Sequence, residues 1–290
     1  MTKTLIKLNL TTLLALIGLC NPVFGQTNNT NIERQITSND SVLLHRYLDS
    51  INISPLYSQK RQKYYDSALS IKPWKASWWQ QKAMPLFKQK KYEIGMVFLD
   101  SAVKYDRHRY IDYRAFIKCI FQKSYRDAIK DFEASKECIG AGAVMDHSYD
   151  FYIGLCYLQL NQLDSSIFFL TKTINDQKKA IGEDWVHPLD LFYLGIVYYE
   201  KEDYAKALES FDYCLKMYPD FSDAEYYKAV TLKKSNKPAE ALVLMTLAYD
   251  HFKTGYTINE DNVDYEIYPY QVYKRSSYEG ALKWLGEKVN

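Results

Sequence analysis

The sequence predicts an all-α chain built by stacking helical hairpins, and three observations carry that prediction. From about Ser41 onward, apolar residues recur at helical spacing almost throughout. Breakers are few: 11 Gly and 8 Pro in 290 residues, against 27 Tyr, a balance that disfavours an all-β chain rich in tight turns. One pattern of large and small residues also returns at intervals of about 34 residues, the mark of a repeat architecture.

The first residues are different in kind. Lys3 and Lys7 lead into an apolar run over residues 8–19, too short to span a bilayer. Val23 and Gly25 then sit three and one residues before Gln26, the small-residue spacing of a signal-peptidase site. Residues 1–25 therefore read as an export signal, and the polar stretch 26–40 as a flexible leader. Cys20 follows Leu19 rather than a small residue, which disfavours lipid anchoring at that cysteine. The expected place of work is outside the cytoplasm, in a periplasm or at an outer-membrane face. Loss of residues 1–25 takes the formal charge from +2 to 0, so the mature chain has no electrostatic footprint for nucleic acid. Cys119, Cys138, Cys156 and Cys214 remain, without a C-x-x-C pair, and read as small buried hydrophobes.

The repeat is clearest around Gly195. Leu191 and Leu194 precede it; Tyr198, Tyr204, Ala207, Phe211, Cys214 and Pro219 follow. Small residues at Gly195 and Ala207 let two helices approach, Tyr198 and Phe211 fill the space beside them, and Pro219 stops the second helix. This spacing resembles the tetratricopeptide repeat, a helix-turn-helix unit, with Leu191 in place of the usual Trp and Cys214 in place of an Ala. Ala229, Leu232, Ala241, Met245 and Ala248 repeat the pattern downstream, and Gly154, Tyr157, Leu163, Ser166, Leu170 and Thr173 upstream. Trp79, Ala83, Leu86, Tyr92, Gly95, Leu99 and Ala102 form a further unit, and Tyr125, Ala128, Phe132 and Ser135 part of another. Tyr65, Ala68 and Pro73 mark only the second half of a first, degenerate unit. The array covers residues 41–254. The resemblance implies a right-handed superhelical solenoid, and residues 255–290 are expected to cap it with a C-terminal helix packing Leu282, Trp284 and Leu285. Pro85 should kink or shift the helix that contains it. The stretch GAGAVM at residues 140–145 reads as a helix end and loop.

Catalytic motifs are scarce: there is no G-x-S-x-G, no H-E-x-x-H and no phosphate-binding Gly-Lys loop. The chain is expected to be no enzyme and to need no cofactor. His147 and His187, with Asp146, Asp184 and Asp190 near them, have the chemistry of a metal site. They lie a repeat apart, however, where stacked helices are separated by about 8–10 Å, so no metal site is expected. Trp185, in the junction GEDWVHP, is expected to be a buried plug.

In the resembled family the first helix of each unit lines the concave face. Carried over, the groove positions hold Phe87, Tyr110, Tyr113, Phe151, Phe192, Tyr199 and Tyr226, with Lys233 and Lys234 at one end. Tyr offers a flat apolar face and a hydroxyl tip, suited to a peptide. The Asn of the family's carboxylate clamp is missing from these positions. The resemblance thus implies a non-catalytic scaffold that binds a peptide or protein segment in its concave groove. The alternative is a glycan- or nutrient-binding envelope protein that stacks sugars on the same aromatic groove.

Overall fold

The computed structural model describes residues 35–286; the export signal, Cys20 and most of the leader lie outside the described residues. From Ile36 onward the chain forms one unit. It is an all-α solenoid of six consecutive helix pairs: α1 (Ser38–Ile53) with α2 (Gln59–Ile71), α3 (Ala76–Lys88) with α4 (Tyr92–Tyr105), α5 (Arg107–Phe116) with α6 (Tyr125–Ile139), α7 (Tyr149–Gln159) with α8 (Leu163–Ile181), α9 (Pro188–Glu200) with α10 (Tyr204–Met217), and α11 (Ser222–Lys234) with α12 (Pro238–Lys253). A last helix, α13 (Arg275–Gly286), packs on α12 and α11.

The first helix starts at Ser38, inside the segment expected to be a leader. Its start is set by a capping box: Thr37 Oγ1 accepts from the Asp40 backbone N–H at 3.1 Å, and Asp40 Oδ2 accepts from the Thr37 N–H at 3.0 Å. The degenerate first unit is thus a full helix pair.

Five of the six pairs turn in the same way. Lys90, Lys123, Asn161, Glu202 and Asn236, each between the helices of one pair, all have φ near +60°. One residue later the chain closes back on the first helix, as in Lys91 N–H to Leu86 O and Asp203 N–H to Tyr198 O, both at about 2.9–3.0 Å. These closures satisfy carbonyls left open at the helix end.

Inside a pair, a glycine faces a bulky side chain. A Cβ added at Gly195 would come within 2.5 Å of the Phe211 ring, and one at Gly154 within 2.8 Å of Leu170. The glycines are there because the helix axes cross too closely for any side chain. Between pairs, aromatic rings carry the packing: Phe132 stacks on Tyr152 with centroids 5.3 Å apart, and Phe192, which also meets Phe211 of its own pair, meets Phe221 and Tyr227.

Several expectations change. Pro85, expected to kink or shift its helix, lies inside α3, which runs on to Lys88; its own carbonyl accepts from the Gln89 N–H at 3.1 Å. α5 continues into a π-helical turn, Ile117–Phe121, in which Ile117, Cys119, Ile120 and Phe121 are buried. The GAGAVM stretch contains more than a loop: Ala143–Val144 (β1) pairs antiparallel with His147–Ser148 (β2). The linking residues Met145 and Asp146 both have positive φ, as a two-residue hairpin turn requires. The extra residues before α9 lengthen α8 and add a short turn, Glu183–Trp185. Trp185 is no plug; it is 72% exposed, and Val186 is buried beside it.

The glycine contact gives a direct test. Gly195→Ala drives a methyl into a fully buried ring and should destabilise the fold by about 1–3 kcal/mol, measured as a lower urea midpoint with an unchanged slope.

Candidate functional site

The groove positions do not form an open aromatic stripe. Phe87, Tyr110, Phe151 and Phe192 are buried, with Phe151 and Phe192 fully enclosed, and these four are corrected from partner anchors to core. The reason is local: Phe87 lies against Gly95, Phe151 stacks on His147 at 4.2 Å, and Phe192 fills the junction between two repeats. Tyr113, Tyr199 and Tyr226 are half-buried. The Tyr113 hydroxyl reaches Met84 Sδ at 2.9 Å, Tyr199 packs on Tyr204 and Tyr227, and Tyr226 lies against Tyr278 of α13.

The face made by the odd-numbered helices is covered by the chain itself. After α12, residues 257–272 leave α11, cross to α3 and return. On the outward run, Glu260 Oε2 lies 3.2 Å from His147 Nε2. At the far end Tyr265 sits under the Lys88 ammonium at 4.2 Å. There Glu266 accepts from the Tyr92 hydroxyl and pairs with Lys123 at 3.0 Å. On the way back the Tyr193 hydroxyl donates to Pro269 O at 2.9 Å, and Tyr270 packs on Tyr227. Tyr268 is 1% exposed and donates from its hydroxyl to Asn262 Oδ1 at 3.1 Å, so the loop is also packed by its own side chains.

Both ends of the loop meet at one carboxylate. Asp223, in the first turn of α11 and fully buried, accepts from Thr257 Oγ1 at 2.6 Å and Ile258 N–H at 3.0 Å through Oδ2, and from Val272 N–H at 2.6 Å through Oδ1. Burial pushes its carboxyl up to about 6, against the opposing pull of these donors. The expected C-terminal cap is therefore two things: a loop across the odd-numbered helices, and α13, whose Tyr278 stacks on Phe252 and Tyr249. Leu285 is buried in α13, while Trp284 stays 39% exposed beneath Lys233.

With that face covered, an open groove lies between α10, α11 and α12. It measures about 730 Å³ and is lined by Leu208, Leu232, Val243, Leu244 and Leu247. Val243 is 73% exposed. An ion pair, Lys228 to Asp212 at 2.5 Å, crosses it, and Lys237 and Glu240 stand at its edge.

The two histidines judged too distant for one site are together. Their ring centroids are 4.7 Å apart. The β1–β2 hairpin carries His147 toward α9, where His187 is the N-cap and Asp190 lies in the first turn. His187 Nδ1 accepts from the Leu189 N–H at 3.2 Å. Gln177 holds the cluster from α8, donating to Asp190 Oδ2 at 2.7 Å and accepting from the His187 N–H at 2.8 Å. Burial pushes the Asp190 carboxyl up to about 6; burial and the neighbouring His147 push the His187 imidazole down to about 4.

The fold defines a class, that of solenoids made from stacked helical hairpins. Residues 188–221, covering α9 and α10, match the tetratricopeptide repeat family model. A tetratricopeptide repeat protein from Parabacteroides merdae has the same fold, with a TM-score of 0.55 and 14% identity over 85% of this chain and 98% of its own. Yeast Tom70 scores 0.53 at 14% identity over 84% of this chain and 45% of its own, and PilW, a type IV pilus biogenesis factor, 0.51 at 11% over 75% and 92%. A search of curated proteins returns no match to this sequence. The chain therefore carries one matched tetratricopeptide repeat, at residues 188–221, and shares the fold of a solved tetratricopeptide repeat protein.

Replacing Asp223 tests the loop closure. Asp223→Ala leaves two buried N–H groups without an acceptor, and should cost about 2–4 kcal/mol and expose residues 259–271 to limited proteolysis. The helix content should persist in circular dichroism.

Proposed function

We propose that this chain is a non-catalytic scaffold, working outside the cytoplasm, that captures an amphipathic helical segment of a protein partner in the α10–α12 groove. The observation that carries this reading is the groove itself. It is an open cleft of about 730 Å³ with Leu208, Val243, Leu244 and Leu247 along it. A helix laid between α10 and α12 would bury these side chains at its apolar face. Asp212, Lys228, Lys237 and Glu240 would set its register with charges of both signs. The face assigned to binding by family resemblance is already filled by residues 257–272, so it serves the architecture rather than the partner. Placement outside the cytoplasm is supported by the basic start, the short apolar run and the small residues before Gln26. Among the described residues, no helix is long and apolar enough to cross a membrane.

A photo-reactive residue at Val243, in the native cell, should give one discrete crosslinked protein, and Leu247→Glu should abolish it. Because Leu247 is 45% exposed, that substitution should leave stability within about 0.5 kcal/mol. A crosslink that persists in Leu247→Glu, or appears equally from Phe168 on α8, would remove the groove from consideration. Export has its own check: the N-terminus of the secreted chain should be Gln26, whereas a chain that keeps residues 1–25 and stays in the cytoplasm contradicts the assigned location.

A further inference from the structure

One buried polar cluster is explained neither by packing nor by the interaction groove. The candidate ligand atoms of His147, His187 and Asp190 all lie within 4.8 Å of one another. Asp190 is fully buried, and only its Oδ2 is satisfied, by Gln177; Oδ1 has no hydrogen-bond partner among the described residues. A buried carboxylate oxygen without a donor is costly to keep, and two imidazoles beside it supply no shared proton that the contacts record.

We propose that His147, His187 and Asp190 bind one divalent transition-metal ion of the zinc class, and that Glu260 is the positioning residue that orients His147. Two imidazole nitrogens and one carboxylate oxygen make the donor set that such ions favour. In a tetrahedral site with bonds of about 2.0–2.2 Å, two donors on one ion stand about 3.3–3.6 Å apart. The ligand atoms here, within 4.8 Å of one another, therefore have to close by at most about 1.2–1.5 Å, within reach of side-chain rotation without a rearrangement of helices. Glu260 Oε2 stands 3.2 Å from His147 Nε2, the carboxylate–imidazole contact that commonly fixes a ligand histidine through its other nitrogen. Gln177 does the equivalent for Asp190.

The ion has a route and a consequence. A cavity of about 160 Å³ lined by His187 and Glu260, with Tyr218, Phe221 and Asn259, reaches the cluster. Three protein donors leave a further coordination position for water. Loading has one local cost. The Leu189 N–H now donates to His187 Nδ1; ligation through either ring nitrogen takes that acceptor away, because the remaining ring proton or the metal occupies Nδ1. In exchange, the ion would tie the β1–β2 hairpin to α9 and, through Glu260, to the loop 257–272.

The test uses the chain without a polyhistidine tag, stripped with a chelator, reloaded with Zn²⁺ and freed of excess ion. The expected result is one zinc per chain, a melting temperature several degrees above the stripped chain's, of the kind ligand linkage gives, and visible d–d bands when Co²⁺ replaces Zn²⁺. Asp190→Asn and His187→Ala should lose the ion and the bands. Glu260→Gln should weaken zinc binding about 10–100-fold with the circular dichroism spectrum unchanged. Replacing the exposed His45 and His108 should change none of these. Substoichiometric zinc in the folded wild-type chain, or binding that survives in Asp190→Asn and His187→Ala but falls in the His45 and His108 variants, would overturn the proposal.

Discussion

The whole array depends on how closely the two helices of a pair can approach. An isolated hairpin leaves apolar stripes on both flanks, so it is stable only when the next pair covers them. Stacking needs each pair to have the same thickness, and that thickness is set where helix meets helix. At Gly195 and Gly154 the opposing side chain already occupies the place of a Cβ. The ring that fills the gap at Gly195 is linked to the following pair through one intermediary: Phe211 touches Phe192 of its own pair, which in turn reaches Phe221 and Tyr227 of the next repeat. Crossing distance within a pair and contact between pairs are therefore one packing problem.

The same economy explains why the odd-numbered face is closed. Tyr152, Tyr193 and Tyr227 project from successive first helices, and such a tyrosine row would leave a wide apolar surface in water. The loop 257–272 covers it with aromatic residues of its own and satisfies the Tyr193 hydroxyl with a backbone carbonyl. Charged groups on the loop find partners too: Glu266 pairs with Lys123 and accepts from Tyr92, and Glu260 lies beside the buried His147. Apolar and polar contacts together hold the loop, and Asp223 gathers both ends.

The solenoid was legible in the sequence because its signal is repeated. Small and large residues at fixed spacing around Gly195 recur often enough that single substitutions, such as Cys214 for Ala, do not hide them. The turns were less visible: of Lys90, Lys123, Asn161, Glu202 and Asn236, only the asparagines suit a left-handed backbone by residue type. Carrying groove positions over from the family failed at Phe87, Phe151 and Phe192, because a position that faces a groove in a bare array faces core once rings from the next repeat lean over it. Residues 257–272 carried no periodicity to read, and nothing local to Asp223 announces that it bonds residues 34 to 49 positions away. His147 and His187 were judged by helix spacing alone; the hairpin that shifts His147 forward rests on two positive-φ residues, Met145 and Asp146, and a methionine gives no warning of that.

The order of the elements along the chain has a consequence for how the molecule matures. Every helix that the loop covers lies N-terminal to it, so a chain emerging from a ribosome or a translocation pore would complete α3 to α11 before residue 272 arrives. During that interval the tyrosine row is bare and adhesive. Newly made molecules would then be at their greatest risk of sticking to one another, or to a chaperone, just before the final segment folds back and seals them.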